Sequence, residues 1–271
     1  MVASVSCIYG LGAPEEYYRL AVSVRPDDEI SRDELIRRLV AIQYTRKDVD
    51  FTRSSFRVRG DILDIFPSSN TEIYIRVEFF GDTVERVCEA EYVTGNVISE
   101  LKHAVIFPAS HYAVAQEKLN LAVAAIERDE EDEVRFFKEN GKLIEAQRLK
   151  QRTDYDMEMI KEIGFCKGIE NYSRYFDGRS VGEPPFTLLD YFPKNFITFI
   201  DESHMTIPQI GAMYNGDRSR KKSLVDYGFR LKSAYDNRPL TFEEFDARIG
   251  QLICVSATPA PYEMKEAGQV S

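Results

Sequence analysis

Between about Arg19 and Pro108 the order of hydrophobic and polar positions changes rhythm several times, and each rhythm predicts an element. Ser31 stands three residues before Glu34, the spacing of a capping box. Leu35, Ile36, Leu39, Val40 and Ile42 then recur at helical intervals, so a helix opens this region. Alternation follows. In Phe56-Arg57-Val58-Arg59 the apolar side chains take one face and the arginines the other. Ile62 to Phe66 continues as strand until Pro67 stops it. The clearest run is Ile73 to Phe80, where Ile73, Ile75, Val77 and Phe79 share the packed face and Tyr74, Arg76, Glu78 and Phe80 face outward. Gly60-Asp61 and Gly81-Asp82 supply the turns. The pattern predicts a mostly antiparallel α+β module whose outer face carries Arg57, Arg59, Arg76 and Glu78.

Elsewhere the periods differ. Residues from Ala113 to Ile163 are helical in composition, with Leu143, Ala146, Leu149, Met157, Ile160 and Ile163 at helical spacing and a break at Asn140-Gly141. The acidic stretch Asp129 to Glu133 reads as an exposed helix face, and Gly164 to Pro193 as a loop rich in Gly, Pro and aromatics. The opening run, Val2 to Ile8, ends at Gly10 and Gly12 and reads as a buried strand meeting a loop. A start so abrupt in apolar sequence gives the expectation of an internal piece of a longer chain.

With 271 residues, 44% of them hydrophobic and 30% charged, two compact units and a real core are expected. No apolar run is long enough to span a bilayer and no signal arrangement opens the chain, so the expected location is the cytoplasm, with no membrane partner. The four cysteines are scattered without a C-x-x-C pair and the three histidines are dispersed, which indicates neither disulfides nor structural zinc. A net charge of −10 confines any nucleic-acid contact to a local patch. The basic stretch from Arg218 through Arg220, Lys221 and Lys222 to Arg230, Lys232 and Arg238 is the place for it, although on charge alone it reads as a solvated loop.

The chemistry-bearing pattern lies near the end. Phe196 to Ile200 is a continuous apolar run of the kind found in parallel strands buried on both faces, and it ends in Asp201-Glu202-Ser203-His204. Ligands of doubly wound sheets bind at that edge. Asp201 could hold a nucleotide's hydrated magnesium, and Glu202 could polarise the attacking water. A second run, Leu252 to Val255, ends in Ser256-Ala257-Thr258-Pro259, whose hydroxyls could reach the first strand's acids. Two parallel strands with these endings resemble the second and third motifs of superfamily-two helicase cores.

The resemblance becomes specific in D-E-S-H-M-T-I-P-Q-I-G-A-M-Y-N-G-D-R-S-R-K, from Asp201 to Lys221. Ser4 to Gly12, Gly168 to Arg174, Leu188 to Pro193 and Asn237 to Glu244 add to it, and together these segments resemble the UvrB family of bacterial nucleotide excision repair across essentially the whole chain. The resemblance implies an α/β fold: a partial RecA-like parallel-sheet core of the P-loop NTPase type, residues 1–19 and 109–271, interrupted by a domain at 20–108 that docks on UvrA. It implies catalytic roles for Asp201, which also meets magnesium through water, and for Glu202. It implies nucleotide coupling through Ser256, Ala257 and Thr258, UvrA contacts at Arg46, Arg57, Arg59, Arg76 and Glu78, and DNA contacts at Arg218, Arg220 and Lys221. ATP and magnesium are the implied cofactors, and UvrA, UvrC and damaged double-stranded DNA the implied partners.

The sequence departs from the family in having no G-x-x-x-x-G-K-[ST] loop to fix phosphates, so this chain alone is expected to lack ATP turnover. Two other readings remain open at this point. One is a purely binding module for UvrA. The other is a translocase like the transcription-repair coupling factor, which carries a similar insert; the Tyr214 to Arg218 region favours UvrB.

Overall fold

Two units divide the residues that the computed structural model describes, 1–267. One runs from Glu15 to Leu119, and the other joins Met1–Pro14 to the chain from Asn120 onward.

In the first unit, α1 (Pro14–Arg19) leads to β1 (Val22–Val24) and α2 (Arg32–Ala41). The Glu34 N–H donates to Ser31 Oγ at 3.2 Å, the N-cap half of the expected capping box, while the Glu34 carboxylate pairs with Arg37 and Arg38. Six strands follow in a sheet that keeps sequence order: β2 (Thr45–Arg46), β3 (Ser55–Arg59), β4 (Ile62–Phe66), β5 (Ile73–Phe80), β6 (Thr83–Glu91) and β7 (Val97–Glu100). All neighbours are antiparallel except β2 and β3. Arg59 pairs with Ile62 and Phe80 with Thr83, which leaves Gly60-Asp61 and Gly81-Asp82 as two-residue turns. β8 (Ala104–Ile106) pairs separately with β1.

Leu35 and Leu39 of α2 pack with Phe56, Leu63, Val77 and Val87 on one face of this sheet. The other face departs from the outward-facing reading. Phe51, Phe66, Tyr74 and Ala90 form a second buried cluster there, because the β2–β3 connection brings the Phe51 ring within 5.3 Å of Tyr74 and 5.4 Å of Phe66. Burying each large ring contributes roughly 1.5–3 kcal/mol, enough to keep that connection folded down.

The second unit begins not with the expected strand but with a 3-10 turn, Val5–Ile8. Its Ile8 is fully buried, and the Leu240 N–H donates to the Ile8 carbonyl at 3.0 Å. α3 (Gln116–Glu139) and α4 (Leu143–Ile163) are separated at Gly141, whose φ of +73 ends the first helix. The acidic stretch of α3 is not simply exposed. Glu130 and Glu133 are 3% and 9% exposed: Glu130 meets Lys150 at 3.3 Å, and Glu133 accepts the Lys232 N–H at 2.9 Å. The stretch expected as loop holds 3-10 turns at Ile169–Tyr172 and Leu188–Tyr191 and a short helix, α5 (Ser173–Asp177).

β9 (Ile197–Asp201), α6 (Ser203–Asp226), α7 (Phe242–Asp246), β10 (Gln251–Val255) and α8 (Pro261–Glu266) complete the unit. β9 and β10 are parallel neighbours. Only one face of the pair is covered: Ile200, Leu252 and Cys254 join the core, whereas Ile197, Phe199, Ile253 and Val255 are 43% to 67% exposed. The expectation of burial on both faces is thus corrected, because among the described residues this sheet has only two strands. Arg218 to Lys222 of the basic stretch lie on α6 and are helical, not a loop, whereas Arg230 follows the helix, Lys232 opens a 3-10 turn (Lys232–Asp236) and Arg238 lies beyond it. The last four residues of the expected 109–271 segment lie outside the described ones.

Candidate functional site

The register places Val255 opposite Asp201, so both strands release their next residues at one edge. Glu202 turns the chain from β9 into α6 at φ +44 and ψ +49, a left-handed conformation that costs a glutamate on the order of 1 kcal/mol or more. Asp201 Oδ1 accepts the Glu202 N–H at 3.0 Å. The hydroxyl of Ser256 reaches not an acid but an imidazole: Ser256 Oγ lies 2.8 Å from His204 Nδ1, and that nitrogen is 3.4 Å from Glu202 Oε2. Ser256 Oγ also accepts the Thr258 N–H at 3.1 Å, which folds the Ser-Ala-Thr turn around Ala257. Ser203 Oγ donates to Glu263 Oε1 at 2.5 Å, tying the first turn of α6 to α8. Exposed carboxylates at Asp201 and Glu202 suit a hydrated magnesium ion, which keeps its waters and needs few protein oxygens. Among the described residues no cluster of three or more His, Cys, Asp or Glu is built to hold a metal directly.

Cross-strand register explains the arginine face. Arg57, Asp64, Arg76, Cys88 and Glu100 are successive partners across β3 to β7. Asp64 therefore sits between the two arginines, 2.8 Å from each Nε, and is 1% exposed. Arg76 Nη2 also donates to Tyr74 Oη at 2.7 Å, and the Arg57 guanidinium lies 4.3 Å above the Phe51 ring. Their side chains are only 15% and 19% exposed, so this pair is drawn into the surface while remaining accessible. Arg59 is exposed. Arg46 is 57% exposed beside Asp48 at 2.9 Å, and Glu78, a quarter exposed, is 3.8 Å from Arg86.

The α6 cations separate into two kinds. Arg218 and Arg220 are exposed; Arg218 lies 5.1 Å over the Tyr235 ring and Arg220 pairs with Asp217 at 2.9 Å. Lys221 does not belong with them. It is 4% exposed, lies 2.8 Å from buried Asp217 and donates to the Asn237 carbonyl, and burial holds its ammonium pKa below the ordinary lysine value. Its proposed DNA contact is corrected on that ground: the i to i+4 spacing turns it toward Asp217 and into the protein.

Two residues that bear on the sites went unnoticed in sequence. His204 follows the acid pair by one helical step and was visible only as an isolated histidine. Asp64 could have been found, since an acid in the middle of Ile62-Leu63-Asp64-Ile65-Phe66 breaks an otherwise apolar strand.

The geometry defines a mixed α/β protein in which a parallel strand pair carries an acid, imidazole and hydroxyl edge while a separate, mostly antiparallel sheet presents paired arginines. A UvrB interaction domain is recognised over residues 22–112 and a UvrB third helical domain over 117–178. The chain is 61% identical over 270 residues to UvrABC system protein B of Caldicellulosiruptor saccharolyticus and 59% identical over 270 residues to that of Carboxydothermus hydrogenoformans, covering all of this chain and 41% of each relative. Against the protein of the same name from Clostridium botulinum strain 657 it is 58% identical over 265 residues, 98% of this chain and 40% of the relative. The chain belongs to the UvrB family and spans about two fifths of the length of these curated relatives.

Proposed function

We propose that this chain is the part of a UvrABC excision-repair subunit that docks on UvrA and supplies half of a nucleotide site. In this reading the second unit is a portion of a RecA-like, superfamily-two helicase core. Asp201 meets magnesium through water, Glu202 orients the attacking water, and Ser256 to Thr258 pass nucleotide state toward damaged DNA held in part by Arg218 and Arg220. UvrC is the later partner, and the cytoplasm the site of action. The observation that carries the reading is the parallel register of Asp201 with Val255, which brings the acid pair and the Ser-Ala-Thr turn to one edge with His204 between them. The phosphate-fixing loop is not in this sequence, so positioning and charge stabilisation of a γ-phosphate have no anchor here, and the chain by itself binds rather than turns over.

The test is a pair of measurements on the 271-residue chain. Capture of UvrA is expected to survive Glu202→Gln and to be lost when Arg46→Glu and Glu78→Arg reverse the dock's charges. ATP hydrolysis is expected at background. Turnover that disappears with Glu202→Gln would overturn the second expectation, and unaltered capture by the charge-reversed chain the first.

A further inference from the structure

We infer that Asp64 is a positioning residue that fixes Arg57 and Arg76 as a ready-made double clamp for an acidic partner surface. The inference rests on the reading of this sheet face as a dock. Asp64 is the cross-strand partner of both arginines, and its two oxygens divide between them: Oδ2 takes Arg57 Nε and Oδ1 takes Arg76 Nε, each at 2.8 Å. Arg76 Nη2 is also taken, by Tyr74 Oη at 2.7 Å and Asp64 Oδ2 at 3.4 Å, so a partner meets Arg57 through its terminal nitrogens and Arg76 through Nη1. The rings finish the orientation, since Phe51 lies under Arg57 and Tyr74 Oη accepts from Arg76. A long, flexible arginine on an open strand loses rotamer freedom when it binds; here that loss is already taken in the folded chain.

Charge points to the partner's chemistry. One carboxylate shared by two guanidinium groups leaves the Arg57–Asp64–Arg76 triad with net positive charge; Glu100, at the end of the same row, is paired with Arg86 at 2.9 Å, and exposed Arg59 lies one register step away. The remaining guanidinium N–H groups recognise carboxylates, so the fitting surface is one that presents Asp or Glu side chains. Asp64 itself stays out of the contact, at 1% exposure.

The test uses the full 271-residue chain, purified UvrA and the Nε–H resonances of Arg57 and Arg76. In the parent chain both resonances are expected to be resolved and slow to exchange. Asp64→Asn, close in shape but uncharged, is expected to lose that protection and weaken UvrA binding about tenfold, with Arg57→Gln adding little further once Asp64 is gone. A purely structural role would lower stability without this non-additivity. Binding within twofold of the parent, or fully additive losses, would overturn the inference. If Asp64→Asn does not fold, Asp64→Glu decides: it keeps the charge but moves both oxygens, and unchanged Nε–H exchange with UvrA binding within twofold of the parent would count against the clamp. Should the parent chain not bind UvrA, the dock reading falls, while the Nε–H exchange still decides whether Asp64 holds the arginines.

Discussion

Ser256 and His204 join the two strand ends: the Ser256 hydroxyl lies 2.8 Å from His204 Nδ1 while also accepting the Thr258 N–H. Replacing Ser256 by Ala deletes both bonds at once. The expected cost is about 1–2 kcal/mol, because each is a partly exposed hydrogen bond. Hydrogen exchange should show the Thr258 amide losing protection first. A Thr258 amide that exchanges as in the parent would mean that the turn is held by other contacts.

Gly228 marks a close approach of another kind. Its φ is +69, and a Cβ there would stand 2.4 Å from the Glu145 carbonyl oxygen on α4. Arg148 of the same helix donates to the Tyr227 carbonyl at 2.7 Å and stacks 4.2 Å over Phe229, so the loop is gripped on both sides of the glycine. Gly228→Ala combines left-handed strain with a backbone collision, and a loss of roughly 3 kcal/mol or more is expected in urea unfolding. Gly60→Ala makes the control. At φ +60 with open space around it, it should cost only about 1 kcal/mol.

Legibility in the sequence followed the range of each contact. The α2 cap, the hairpin turns and the packed face of β5 rest on residues a few positions apart, and their spacing alone predicted them. That the strands ending at Asp201 and Val255 are parallel neighbours joins residues far apart in the chain, yet it was expected because each strand ends in a distinctive motif; their register was not. What stayed hidden depends on which side chain fills which space. Periodicity assigns Tyr74 to an outward face, but it cannot foresee that Phe51 folds over it. Glu130 and Glu133 look like solvated helix charges until Lys150 and the Lys232 amide are brought to them. Lys221 looks like its basic neighbours until α6 turns it onto Asp217.

Glu244 and Glu133 should give stability opposite dependences on pH. Hydrogen bonding to Arg238 holds the Glu244 carboxyl below its usual range, so its contribution is present above the unfolded value near 4.5 and fades as pH falls through the lower folded value. Burial pushes Glu133 upward, so the folded state favours its neutral form and loses stability as pH rises from about 4.5 through the raised value. Glu244→Gln is therefore expected to destabilise at pH 7 more than at pH 3.5. Glu133→Gln should compare better with the parent at pH 7 than at pH 4. Urea midpoints at these pH values check both signs, and identical pH profiles for the two variants would refute them.

Lys221 and its neighbours on α6 provide the sharpest separation of a structural cation from a nucleic-acid contact. Arg218 and Arg220 are exposed, and if they meet phosphates, removing either should lower DNA affinity across all sequences and reduce the slope of log K against log salt by about one. Lys221→Met acts elsewhere. It leaves Asp217, which is 5% exposed, with Arg220 at 2.9 Å but without its buried partner, so the cost is expected at the lower end of the roughly 3–5 kcal/mol of a broken buried pair. The salt slope of any folded population should stay that of the parent, because the Lys221 ammonium is already committed to Asp217 and to the Asn237 carbonyl. Fluorescence anisotropy on a labelled duplex over a salt series, paired with urea unfolding of each variant, distinguishes the two roles. A Lys221→Met chain of parental stability but reduced salt slope would return that lysine to the DNA interface.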